Sequence, residues 1–147
     1  METREIFGEQ PIHLGCQKNN GSLEIIEYLV NKGIDLESED NHGQRPIHFA
    51  CQYNGTLKMI EYLVHNGINL ESATNYGWRP IHFVCSYGCY DVINFFLKRN
   101  VNLCGRVTRP GILGYYDVKD LIKENNQLTA EQQKELLDII NEKKIEI

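Results

Sequence analysis

His82, Cys85 and Cys89 fall at i, i+3 and i+7, along one face of a helix. Imidazole and thiolate at that spacing are donors a zinc ion accepts. His48 with Cys51 offers a second chemistry, a Cys–His pair in which the imidazole takes the thiol proton and leaves a nucleophile. Both readings meet one obstacle. His13 and Cys16, His48 and Cys51, and His82 and Cys85 are three copies of one arrangement. His13 and His48 have no later Cys to match Cys89, and the two paired ligand motifs of structural zinc are absent. A set that returns with the repeat reads as packing, not as a catalytic group. Zinc bound in stoichiometric amount by the purified protein would be the sign of the metal reading. No phosphate-binding loop or nucleophile elbow occurs in the chain.

A unit of fixed period must position these residues. Pro-Ile-His occurs at Pro11-Ile12-His13, Pro46-Ile47-His48 and Pro80-Ile81-His82, spaced by 35 and 34 residues. Gly8, Gly43 and Gly77 stand three residues before each Pro. Apolar stretches follow from Leu23, from Leu57 and, more divergently, from Tyr90. Such a period marks a stack of units, none of which buries its apolar face alone. Pro fits the first turn of a helix, where its missing N–H has no partner to lose. The Gly before it suits a tight turn at positive φ. Leu23, Ile26, Leu29 and Val30 keep helical spacing around polar Glu24 and Glu27, and Gly33 and Gly67 stop the second helices. The spacing predicts a hairpin loop, a short helix, a turn and a longer helix in each unit. Asn19-Asn20-Gly21 and Asn54-Gly55 lengthen the turn between helices without disturbing their register.

These residues resemble the ankyrin-repeat family. Its Gly-x-Thr-Pro-Leu-His segment is matched by Gly43-Gln44-Arg45-Pro46-Ile47-His48 and Gly77-Trp78-Arg79-Pro80-Ile81-His82, and more loosely by Gly8 to His13. Its closing turn is matched by Gly33-Ile34-Asp35-Leu36 and Gly67-Ile68-Asn69-Leu70. The resemblance implies an all-α solenoid with β-hairpin-like loops. It also implies that His13, His48 and His82 tie neighbouring units together through backbone hydrogen bonds. Gln10, Arg45 and Arg79 replace the family's Thr, so the first helices must be capped in another way. The resemblance fades after Leu103. Residues 1–103 read as three repeats, the first lacking part of its hairpin, and 104–126 as a degenerate fourth. There, residues 106–111 stand for a shortened hairpin and first helix, and Asp117 to about Asn125 for the second helix. Residues 127–147 read as a capping helix: Thr129 and Gln132 form a capping box, with Leu136, Leu137, Ile140 and Lys144 on one face.

Composition limits the function. At 147 residues and 41% apolar content the chain has one domain's worth of core. Its net charge of −5 argues against nucleic acid and anionic membranes. No apolar run approaches the ~20 residues of a transmembrane helix. Five cysteines, three of them at equivalent positions, read as free thiols in a reducing, intracellular and cytoplasmic setting. The sequons at Asn20 and Asn54 have no use there. No cofactor is called for.

What remains is surface. In the family, partners meet the concave face formed by hairpin tips and first helices. By phase, that face here carries Phe7, His42, Gln44, Tyr53, Tyr76, Trp78 and Tyr87. Exposed aromatics are the usual anchors of protein interfaces, and the stripe as a whole reads as a binding face, although Tyr76 and Trp78 taken singly read equally well as rings packed on the next hairpin or the helix stem. Glu37, Glu39 and Asp40 flank them as a solvated acidic edge or a lure for a basic segment. The expectation is a non-catalytic module that binds a protein partner. The alternative is a regulatory or targeting piece of a larger protein, such as a kinase or a ubiquitin-ligase subunit, because the chain opens in the middle of a repeat.

Overall fold

Each Pro-Ile-His opens a helix. The computed structural model describes residues 8, 11–17, 23–53 and 56–143. The short helices are α1 (Pro11–Gln17), α3 (Pro46–Gln52) and α5 (Pro80–Tyr87), and each is followed by a longer one: α2 (Leu23–Asn31), α4 (Leu57–His65) and α6 (Tyr90–Lys98). A two-stranded antiparallel hairpin, β1 (Val107–Arg109) and β2 (Ile112–Tyr116), precedes α7 (Val118–Lys123) and α8 (Ala130–Glu142).

The caps show how Arg replaces Thr. Arg45 is extended at φ −101° and ψ 166°, and its backbone N–H donates to His48 Nδ1 at 2.8 Å. Arg79 repeats this with His82 Nδ1 at 3.0 Å. The imidazole thus supplies the acceptor that a Glu or Gln supplies in an ordinary capping box. The predicted box at the last helix is present: the Gln132 N–H donates to Thr129 Oγ1 and the Thr129 N–H to Gln132 Oε1.

The helices stack in two rows, α1–α3–α5–α7 and α2–α4–α6–α8. Ile12, Ile47 and Ile81 with Cys16, Cys51 and Cys85 fill the first row, and Ile26, Ile60, Leu63, Ile93 and Phe96 face them from the second. The loops stack as well. The Asn75 N–H donates to the His42 carbonyl, and Gly43 sits so close that a Cβ there would fall 2.4 Å from Asn75 Oδ1. With φ at +73°, Gly43 is therefore required twice. In the divergent third unit Asn100, at φ +54°, takes the place of the helix-ending glycine.

The C-terminal region differs from expectation. Residues 106–111 are no shortened helix; they enter a true β-hairpin whose two-residue turn is Pro110-Gly111. The helix after Asp117 was expected in the second row but stacks on α5 in the first, while α8 packs on α6. The reason lies in its faces. Val118, Leu121 and Ile122 are fully buried, and Asn125 Nδ2 donates to the carbonyls of Cys85 and Gly88, fastening the end of α7 to α5. The last helix is thus the outer partner of α7. It buries Leu136 and Ile140 and exposes Glu131, Lys134, Glu135 and Asp138. Lys144, both sequon asparagines and the inserted turns lie outside the described residues.

Candidate functional site

The groups with chemical promise are inside the stack. His48 is buried, its Nδ1 accepts from Arg45, and its Nε2 donates to the Ser72 carbonyl at 2.8 Å. His13 Nε2 meets the Ser38 carbonyl in the same way at 2.7 Å. Burial pushes His48 down to about 4, with the Ser72 bond opposing it, and pushes His82 to about 4 as well. Burial also raises the Cys16 thiol to about 12 and carries Cys51 and Cys85 upward. A thiol held protonated is no nucleophile. Among the described residues no three metal-ligating side chains stand together, and no helix is long and apolar enough to cross a membrane.

The surface holds a hollow of about 490 Å³. Five of the residues expected at a partner-binding face line it: His42, Gln44, Tyr76, Trp78 and Tyr87. Tyr76 is 62% exposed at its hairpin tip, with its ring 6.3 Å from that of His42. Tyr87, at the end of α5, is 41% exposed. Gln44 Nε2 donates to Gln52 Oε1 at 3.2 Å, bridging the loop and α3 across the floor. Tyr53 is not in the hollow. It is half-buried, and its ring stacks on Phe49 at 6.2 Å and 14°. Phe7 lies outside the described residues.

Of the two readings of Trp78, a solvent-facing anchor or a ring packed on the next hairpin, the structure has the second. Only 7% of Trp78 is exposed. Its Nε1 donates to the Thr108 carbonyl at 2.8 Å, and its ring packs 5.0 Å from Phe83. It forms a wall of the hollow while holding β1 against the third unit. The acidic edge is also largely engaged. Glu37 receives the Arg45 guanidinium and the Asn69 N–H, and Asp40 Oδ1 accepts from the N–H groups of His42 and Gln44. Glu39 remains exposed.

Arg109, Pro110 and Ile112 of the hairpin close one side of the hollow and were missed. Arg109 lies over the Tyr116 ring at 4.8 Å and binds Glu124 and the Ser86 hydroxyl. A signal was available: a Pro-Gly pair between Val-Thr-Arg and Ile-Leu-Gly-Tyr-Tyr is a hairpin pattern.

A family model of ankyrin repeats in three copies matches residues 12–106. The chain belongs to the ankyrin-repeat family. It is also similar to ankyrin repeat domain-containing protein 53 of Mus musculus, 42% identical over 45 residues. That match spans 29% of this chain and 9% of the mouse protein. Ankyrin repeats are in general modules of protein–protein interaction, so the hollow lies on a scaffold suited to a protein partner. The His–carbonyl bonds implied by the ankyrin resemblance are present at His13 and His48. At His82 the Nε2 is buried with no partner among the described residues. The ankyrin match stops at residue 106, where the hairpin begins.

Proposed function

We propose that this chain is a non-catalytic module that binds a protein partner on the concave side of an ankyrin solenoid, in the hollow between its hairpin tips and first helices. One observation carries the reading. Exposed Tyr76 and Tyr87 and the Gln44–Gln52 pair converge on one hollow, while the histidines and thiols of the repeat are buried in packing. Tyrosine supplies large contact area with little rotamer entropy to lose, and the amides supply directional bonds.

The site can be tested before any partner is named. Peptides are selected from a displayed random library on the wild-type protein and titrated against Tyr76→Ala/Tyr87→Ala. Affinity should fall at least about ten-fold in the double variant. Selection that yields only binders indifferent to both tyrosines overturns the site. A second reading, a targeting or regulatory segment of a larger protein, is supported by the mouse relative, in which the matched stretch occupies 9% of the chain. Transcript mapping that finds no coding sequence continuous with this segment on either side overturns that reading.

A further inference from the structure

The β1–β2 hairpin is the most apolar exposed element among the described residues. Leu113 is 100% exposed, Tyr115 71% and Ile112 52%, on one five-residue strand. The ladder explains the exposure. Val107 pairs with Tyr116 and Arg109 with Ile112, so Leu113, Gly114 and Tyr115 lie opposite Thr108 alone. β2 bulges there, with Gly114 at φ +128°. A bulge re-aims side chains and interrupts an edge, so this strand offers side chains to a partner more readily than a backbone ladder. The hairpin is also anchored, because the carbonyl of Thr108 is taken by Trp78 and Arg109 is held by Glu124 and Ser86.

Charge identifies the occupant. From Lys98 to Glu124 six basic side chains stand against three acidic ones, in a chain whose net charge is −5. The three acids are engaged: Asp117 and Asp120 cap α7, and Glu124 pairs with Arg109. Arg106 stands one residue before β1, and Lys119 three residues after β2, at the base of the hairpin.

We propose that the bulged hairpin is a docking surface for an acidic protein segment carrying aliphatic or aromatic residues, which cover Leu113 and Tyr115 while its carboxylates meet Arg106 and Lys119. This rests on the protein-binding reading, but Leu113 and Tyr115 do not line the hollow, which the hairpin borders only through Arg109, Pro110 and Ile112, so the two fail separately. A second copy of the hairpin fits poorly. It would set two basic stretches face to face, and so few side chains fall well short of the ~1,200 Å² of a stable interface.

Three labelled peptides of about a dozen residues test it by fluorescence anisotropy. The first alternates Asp and Glu with Leu and Phe, the second replaces the acids with Lys, and the third replaces the apolar residues with Ser. The first should bind about ten-fold more tightly than either of the others, and more weakly as salt rises. Leu113→Ser/Tyr115→Ser should weaken it about ten-fold with the circular dichroism spectrum unchanged, while Tyr76→Ala/Tyr87→Ala leaves it intact. Equal binding of all three peptides, absence of binding, or indifference to the Leu113/Tyr115 variant overturns the proposal. So does a concentration-dependent dimer that the same variant abolishes, which would assign the surface to a second copy. Loss of binding in the Tyr76/Tyr87 variant alone would return the peptide to the hollow and overturn it too.

Discussion

The junction after the second repeat and the junction after the third use the same residues to different ends. At the first, His48 Nε2 donates to the Ser72 carbonyl, the Arg45 guanidinium turns to Glu37, and Glu37 also accepts the Asn69 N–H. At the second, His82 Nε2 finds no carbonyl among the described residues. Arg79 keeps its counterpart Glu71 at 3.4 Å but also donates to the carbonyls of Asn102 and Cys104. Trp78 stands where the previous unit has Gln44, and its indole reaches β1. Glu71 still accepts the Asn102 N–H as Glu37 accepts that of Asn69, but the histidine part of the lock is exchanged for bonds from Arg and Trp, and the indole holds the hairpin. The difference teaches that the third unit has become the base of an added element, and that its departures from the repeat mark the exchange.

The largest break expected in this comparison is at Trp78. Removing a buried indole leaves a cavity and an orphaned carbonyl, so Trp78→Ala should cost about 3–5 kcal/mol of stability. Gln44→Ala, at the equivalent position, loses one half-exposed amide bond and should cost less than about 1 kcal/mol. Urea unfolding of both variants checks this, and equal midpoint shifts would dissolve the contrast. The indole also closes the hollow, so a binding defect in Trp78→Ala is interpretable only beside that stability measurement.

Next comes acid. The folded pKa of His48 and of His82 is about 4 against an ordinary 6.5. As pH falls below about 6.5 the unfolded chain takes up protons first, so their contribution to stability is full above that value. It then declines toward pH 4 by up to about 1.4 kcal/mol per pH unit for each ring. Protonation also removes the Nδ1 acceptor from the helix cap. Replacing either His by Gln should reduce the steepness of unfolding free energy against pH in that window. At pH 7 the two replacements should differ, because only His48 carries a second bond. His48→Gln should cost about 1 kcal/mol more than His82→Gln. Identical costs would show that the missing carbonyl at His82 has no energetic meaning.

This contrast also sets what the sequence could reveal. The two helix rows were legible because Pro, Ile, His and Cys recur at one spacing, and each does the same physical work in each unit. The expected second-row place of α7 follows from the likeness of Gly114-Tyr115-Tyr116-Asp117-Val118 to Gly88-Cys89-Tyr90-Asp91-Val92 at the start of α6, a likeness that does not fix the row. What decides its row is a tertiary bond from Asn125 to Cys85 and Gly88, across 40 and 37 residues. The phase of the repeat placed His42, Gln44, Tyr76 and Tyr87 at one hollow. Phase carries no information on Arg109 or Ile112, which have no counterpart in the other units, nor on whether an indole at a loop position finds a strand to lie against.

The smallest expected effect is at the arginines. Arg45 bonds chiefly with a carboxylate of a partly exposed Glu37, and such pairs contribute about 0.2–1 kcal/mol. Arg79 donates to two neutral carbonyls as well, each a charge-assisted bond that salt screens weakly because the partner carries no net charge. Arg79→Ala should therefore be the more costly change, by about 1 kcal/mol. Salt then separates the two mechanisms. At about 1 M salt the Debye length is near 3 Å, so the cost of Arg45→Ala, whose partner is a charged carboxylate, should fall by a larger fraction than the cost of Arg79→Ala. Thermal or urea unfolding of both variants at low and high salt reads this out. If both costs fell together, the carbonyl bonds would contribute little, and the hairpin would depend on Trp78 and on the Arg109–Ser86 bond for its attachment to the third unit.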